Sequence, residues 1–492
     1  MKQIIYLIKT TVPLLSIFFL FSCTNLEVES ISTITNASFW KSENDVNSSV
    51  NGMYVQFRNV TTDMFFAGEL RSDVFERPPG SPYTGTIMYY ENTLNSSNIN
   101  ISWGGFYAVI NTANLIIKNA PNITFTLESN KNKLMAQAYA MRAFSYYVLT
   151  RTWGDLIIHT DPVESSSPAV IYKERMSQSD VFKLVKDDIE QALRLFPDDS
   201  YPDGRCFWSR PAAYALKADV YLWTGKRMNG SDADFTVALQ ALQEIVKTDV
   251  TLLTEFSEVF KFDNKGNREI IISCRYDEFE SSNNYFYHMW SGFVPGIDEE
   301  TLNFLYPGGS GNQNIRASDN YANQYEQEDL RKNGSLLEVF GDDAEGQRIV
   351  YARVCRKGTG YVTPGNDRLF INDVILYRYA DILLMIAEAK NALGQDPSSE
   401  INMIRERAFK ENYGNHIYLN DSKEKNDEII LKERLLELAM EGKRWWDLIR
   451  FDKVFDLVPS LQDRKGQDYL LLFPIGLTEL SREPNVKQNP GW

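Results

Sequence analysis

Histidine and cysteine, the side chains that most often carry metal or nucleophilic chemistry, are scarce: three and four in 492 residues. His159, His288 and His416 lie far apart, with no HExxH spacing, so a helical zinc site has no ligand set. Cys206, Cys274 and Cys355 form no CxxC or Cys/His cluster, which excludes a structural zinc. One disulfide among these three is allowed, and they cannot all pair within the chain. Cys274, inside the strand-like run "EIIISCRY", is expected to be a buried, inert thiol. A GxSxG elbow is missing too: "GGSGN" at 308–312 has Asn312 where the second outer glycine belongs. No GxxxxGK[ST] phosphate loop exists, because Gly225-Lys226 and Gly442-Lys443 are both followed by Arg. Also lacking is a block of Lys and Arg. At a net charge of −15 the chain repels phosphate backbones, so nucleic acid is excluded as a partner.

Long apolar runs are absent as well. The uninterrupted run from Thr11 to Phe21 spans about 17 Å as a helix, well short of the roughly 30 Å hydrocarbon core. Preceded by Lys2 and Lys9 and followed by Asn25 and Glu27, it reads as a secretory signal. Leu20-Phe21-Ser22-Cys23 resembles a bacterial lipoprotein box, Phe21 departing from the usual small residue. Residues 1–22 are therefore expected to be a signal peptide and Cys23 the lipidated first residue of the mature protein. Removing Lys2 and Lys9 leaves −17 on 470 residues. The polar, acidic "TNLEVES" that follows suits a tether to a surface-facing domain.

What the chain does contain is helical periodicity. In "YADILLMIAEAKNALG", Ile382, Met385, Ile386, Ala389 and Leu393 recur at i, i+3, i+4, i+7, and Gly394 ends the run. "NKLMAQAYAMRAFSYYVLTRTWG" repeats the pattern with Leu134, Ala138, Met141 and Val148, ending at Gly154. "RPAAYALKADVYLWTGK" predicts a third helix, with Pro211 in its first turn and Gly225 as its stop. Such alanine-rich helices with aromatic knobs resemble tetratricopeptide-type hairpins, although their spacing is not a steady repeat. Between about 250 and 370 the texture changes to short strand-like runs and loops such as "YPGGSGNQN" and "GTGYVTPGND". The fold class predicted is mostly α, a scaffold of helical hairpins carrying an irregular, loop-rich lobe with short strands. Scaffolds of this kind leave binding to the loops.

Aromatic residues make up 13% of the chain and crowd into "ERPPGSPYTGTIMYYEN" (76–92) and "NNYFYHMWSGF" (283–293). Flat Tyr and Trp faces flanked by amides suit sugar rings, and they also suit peptides. Loop position and side-chain chemistry single out Tyr83, Tyr89, Tyr285, Tyr287, Trp290 and Tyr306 as ligand-binding candidates; packing of the lobe is the competing role for each ring. Sixty-six Asp and Glu residues allow any number of carboxylate pairs, so a glycosidase stays open on sequence alone.

The order of motifs resembles the SusD/RagB family of outer-membrane nutrient-binding lipoproteins from Cys23 to Trp492. "ITNASFWKSENDVNSSVNGMY", "GELRSDVFE", "WGGFYAVINTANLIIKNAP" and "AQAYAMRAFSYYVLTRTWGDL" are similar to its N-terminal segments. "LYRYADILLMIAEAKNALG", "EINMIRERAF", "LKERLLELAMEGKRWWDLIRF" and "LLFPIGLTELSREPNVKQNPGW" follow in the family's order, with Gly476 where a second proline is usual. In "LKERLLELAMEGKRWWDLIR" one continuous stripe is expected from Leu431 through Leu438, Gly442 and Trp445 to Ile449. Arg434–Glu437, Glu441–Arg444 and Asp447–Arg450 are expected i, i+3 pairs on that packed helix. The resemblance implies four tetratricopeptide-like hairpins and no catalysis or cofactor. It also implies a lid over a SusC-like TonB-dependent transporter that captures glycans or peptides at the cell surface. Family binding residues do not transfer by motif, and glycan binder, peptide binder and glycosidase remain three distinct readings.

Overall fold

The structure is a computed structural model that describes residues 39–78, 85–165, 167–281, 283–290, 294–305, 311 and 314–492. Its longest helix, α1 (Glu43–Glu69), starts at a capping box in which the Ser42 N–H donates to Asp45 Oδ2 at 2.7 Å. Val46, Val50, Met53, Phe57, Val60 and Met64 alternate steps of four and three along it, and all are buried. Against this stripe packs α2 (Gly104–Asn119), followed in chain order by α3 (Glu128–Trp153), α4 (Gln178–Leu195), α5 (Arg210–Arg227) and α6 (Ser231–Val246), each on its predecessor. The series resumes with α7 (Tyr379–Ala392), which touches α6 and carries α8 (Ser398–Phe409) and α9 (Lys423–Leu438). A short α10 (Arg444–Arg450) returns to α1 and α5. The three helices expected from periodicity are thus α3, α5 and α7, and the fold is mostly helical as expected.

Gly154 and Gly394 do end or follow their helices in the left-handed region, at φ +78° and +72°. Gly225 does not stop α5, which runs to Arg227. It lets the Phe235 ring of α6 lie against the helix where a Cβ would collide.

Between α6 and α7 the chain forms 3₁₀ turns and short antiparallel strands. β1 (Ile270–Cys274) pairs with β4 (Val374–Arg378), and β4 runs directly into α7. β2 (Leu336–Asp342) and β3 (Arg348–Cys355) form a hairpin. Cys206, Cys274 and Cys355 are free thiols, and burial pushes Cys274 and Cys355 up to about 12, as suits inert packing.

The predicted continuous stripe over 431–449 is broken. Met440 and Gly442 adopt φ +67° and +78°, so α9 and α10 are separate helices joined by a left-handed turn. Two of the three expected i, i+3 pairs go elsewhere. Arg434 bonds Asp381 at 2.8 Å, and Glu441 bonds Lys357 (2.6 Å) and Arg378 (2.8 Å), while Arg444 holds Asp73 through two 2.8 Å bonds. Only Asp447–Arg450 forms as expected, at 3.0 Å.

The turn exists to meet α1. Gly68 sits where a Cβ would strike the Gly442 carbonyl and the Trp446 ring. The next residue, Glu69, is fully buried and accepts the N–H groups of Met440 (2.7 Å), Lys443 (2.6 Å) and Arg444 (3.2 Å). One carboxylate from the N-terminal helix thereby caps the start of α10.

Beneath the lobe lies a buried ionic cluster. Arg378, at the β4–α7 junction, is 0% exposed and bonds Glu269 (3.0 Å), Glu437 (2.6 Å) and Glu441 (2.8 Å). Arg407 reaches Glu269 (2.8 Å) and Glu437, and Arg331 bonds Asp329 (2.7 Å) and Glu433 (2.9 Å). Lys357 from the lobe inserts its ammonium against Glu441 and the Glu437 carbonyl (2.8 Å).

Two outcomes follow. Arg378→Met takes the shared cation from three buried carboxylates, leaving Arg407 and Lys357 as the cations that hydrogen-bond them, so urea denaturation should show a loss of about 3–5 kcal/mol. Burial pushes the Glu69 carboxyl from 4.5 up to about 7, against the pull of its three N–H donors. Between those pH values only the folded chain keeps that proton, so stability falls as pH rises through this window, by up to about 1.4 kcal/mol per pH unit. Urea midpoints measured across it should show a shallower decline in Glu69→Gln than in the parent; an equal slope would refute the assignment.

Candidate functional site

Two aromatic-rich stretches picked out by composition are brought together by backbone pairing. Phe75–Glu76 pairs antiparallel with Arg316–Ala317, and the Ser318 N–H donates to the Val74 carbonyl at 2.7 Å. Thr86 Oγ1 donates to the Asn314 carbonyl, 228 residues away in sequence, at 2.8 Å. The N–H groups of Asn314 and Ile315 in turn donate to the His288 carbonyl at 3.0 and 3.1 Å. Residues 75–76 and 86, 288, and 314–318 therefore meet.

Ion pairs brace this junction against the β2–β3 hairpin. Arg316 pairs with Glu76 and donates to the Val350 carbonyl at 2.8 Å, while Arg353 joins Glu338 (3.1 Å) to Asp319. At Gly311 the chain passes so close to the Tyr287 carbonyl and the Trp290 side chain that a Cβ has no room.

Three of the six candidate rings turn out to be the foundation of this junction. Tyr285 is 2% exposed, stacks on Phe65 at 3.9 Å with the planes 2° apart, and donates its hydroxyl to the Met440 carbonyl at 3.3 Å. Tyr89 is fully buried, lies edge-on to Phe66, and spends its hydroxyl on Asn100. Trp290 is fully buried: its Nε1 donates to the Cys355 carbonyl at 3.3 Å and the Arg368 guanidinium lies 4.4 Å from its ring centre. With faces covered and polar atoms satisfied, these three are not placed to stack on a ligand. The loop composition that singled them out does not encode which side of the chain faces inward.

Tyr287 differs. It is half-buried, held edge-on by Phe370 at 5.7 Å and by its neighbour His288. His288 is half-buried too, with Nδ1 3.3 Å from the Asn314 amide and its ring 5.7 Å from Phe66. Tyr83 and Tyr306 lie outside the described residues.

Composition passed over one further ring. Phe279 is 89% exposed on a turn in which Asp277 N–H donates to Ser281 Oγ (2.8 Å) and Phe279 N–H to Asp277 Oδ1 (3.0 Å). Arg58 of α1 fastens that turn by donating to the Glu280 carbonyl at 3.1 Å. The legible signal was a lone aromatic among acids in "YDEFESS". Among the described residues no group of three or more His, Cys, Asp or Glu converges as a metal site, and no helix is long and apolar enough to cross a membrane.

Comparison with known proteins agrees with this architecture. Residues 302–492 match the model described as SusD family, and residues 25–222 the model described as starch-binding associating with outer membrane. The solved structure of B. fragilis NanU is 33% identical, with TM-score 0.81, over 94% of this chain and 100% of that one. SusD-like protein P38 of Formosa agariphila is 28% identical over 99% of both chains. A solved laminarin binding SusD-like protein, 22% identical, shares the fold over 92% of this chain and all of its own with TM-score 0.75. Likeness that runs the length of the chain at this identity, with family models matching both its ends, makes the protein a member of the SusD family.

Proposed function

We propose that this protein is a non-catalytic surface lipoprotein that captures oligo- or polysaccharides and delivers them to a SusC-like TonB-dependent transporter in the outer membrane. Cys23 carries the lipid anchor, and the acidic segment after it holds the domain off the membrane at the cell exterior. The observation that carries the reading is the braced junction of residues 75–76 and 86 with 288 and 314–318, beside which Tyr287 is only half-buried. A ring held by its neighbours and only half-buried loses little freedom when a sugar stacks on it, which favours binding over mobility. Family membership supports the same reading, since one matching model is described as starch-binding associating with outer membrane and a structural relative is titled laminarin binding. On sequence grounds Tyr83 and Tyr306 join Tyr287 as ligand contacts.

Calorimetric titration of the mature protein with starch, laminarin and other polysaccharides, their oligosaccharides and peptides tests this, with product analysis on every hit. Saturable glycan binding without released sugars is expected, and Tyr287→Ala should weaken it about 3- to 10-fold. Binding of peptides alone would transfer the protein to peptide capture, and released sugars would overturn the non-catalytic reading. Palmitate labelling of cells should be lost in Cys23→Ala; persistence of label would remove the anchor assignment.

A further inference from the structure

A cleft of about 330 Å³ opens on the scaffold between the first turns of α1 and of α3. Ligand pockets begin at about this size. Amides dominate its polar wall, with Asn44, Asn47 and Asn51 on α1 and Asn130 and Gln137 on α3, and Lys133 is its one cation. The three α1 asparagines recur at i, i+3 and i+7 and are all exposed, so they form one row along the helix. The Phe125 and Phe207 rings close the cleft. Its one carboxylate, Glu43, is already engaged, accepting the Thr126 N–H at 2.9 Å and the Thr126 hydroxyl at 3.2 Å.

Gln137 makes the cleft more than a dip between helices. The residue is only 4% exposed. Its Oε1 accepts the Tyr54 hydroxyl at 2.9 Å, and that hydroxyl accepts the Trp208 N–H at 2.8 Å. Tyr54 is itself held edge-to-face on Phe207, with ring centres 4.8 Å apart. That bond turns the amide oxygen toward Tyr54 and seats Gln137, although nearly buried, in the lining of the cleft.

From this geometry we infer that the α1–α3 cleft is a second carbohydrate subsite, taking a neutral sugar unit whose hydroxyls bond the amide row and Gln137 while its C–H face rests on phenyl rings. Amides suit hydroxyls because each offers donors and an acceptor side by side, as a sugar hydroxyl does. This inference rests on the glycan-binding reading and adds a separate place for it. Asn47 lies 19 residues before Phe66, which packs under the loop junction, so the two sites sit about 30 Å apart along α1. A chain long enough to reach both gains avidity that a short fragment lacks.

The test is titration of the mature protein with short malto-, laminari- and manno-oligosaccharides, then with their parent polysaccharides. Two sites per chain are expected for the fragment that binds. The Asn47→Ala/Asn51→Ala double variant, altered only at exposed positions, should weaken one of them at least 10-fold with its unfolding midpoint unchanged, and Gln137→Leu should weaken the same site. Tyr287→Ala should affect the other site. Fragment binding that neither cleft variant alters overturns the subsite and leaves the glycan reading standing. No binding of any carbohydrate by the parent protein overturns both.

Discussion

Charge neutralised out of water holds the two parts of this molecule in register. Arg378 stands where the last strand of the lobe becomes α7, and it is gripped by Glu437 and Glu441 from the C-terminal motif and by Glu269 from the base of the lobe. Burying so many ions is costly, and their mutual attraction repays it only with every partner present. The cluster draws on residues from 269 to 441, so it forms only after helix, strand and lobe have each been placed. It therefore specifies one arrangement of the lobe more than it adds stability. Lys357 shows the principle: burial lowers its affinity for the proton, Glu441 restores part of it, and the side chain is useful only in that setting.

The same logic extends outward to the junction above. Tyr285 links them directly, its ring on Phe65 of α1 and its hydroxyl on the Met440 carbonyl in the turn that Glu69 organises. Position is thus transmitted from the helical scaffold to segment 283–290 through a stacked ring and one hydrogen bond. Tyr287, two residues on, is half-buried in a segment whose neighbours Tyr285 and Trp290 are packed inside, so its ring is held in a defined place.

Helices were the readable part of the sequence, because α3, α5 and α7 advertise themselves by spacing and their glycines by composition. Breaks were less readable. Nothing local distinguishes Gly442, which turns the chain, from Gly225, which stays helical to admit Phe235; the difference lies in what packs opposite. Ion pairing failed for a related reason. Arg434 and Glu441 have partners at helical spacing, yet their strongest partners come from α7, β4 and the lobe, which the one-dimensional pattern does not display. Crowding of aromatics singled out two stretches, but burial within them depends on which face of a 3₁₀ turn meets α1. Tyr285 and Trp290 went inside and Tyr287 did not. Phe279 among acids and the asparagines at i, i+3 and i+7 of α1 were both written in the sequence, but neither pattern says that its side chains face solvent.

The β1–β4 ladder has a consequence for the length of the lobe. Residues 275–373 leave and re-enter the scaffold on two hydrogen-bonded neighbouring strands, so almost a hundred residues hang from a single doorway. Closing a longer or shorter segment across the same doorway alters the entropy of closure only slowly with length. The segment's length is thereby loosely constrained, whereas Lys357 and Arg331 within it are held to Glu441 and Glu433 of the scaffold and fix where its middle must lie.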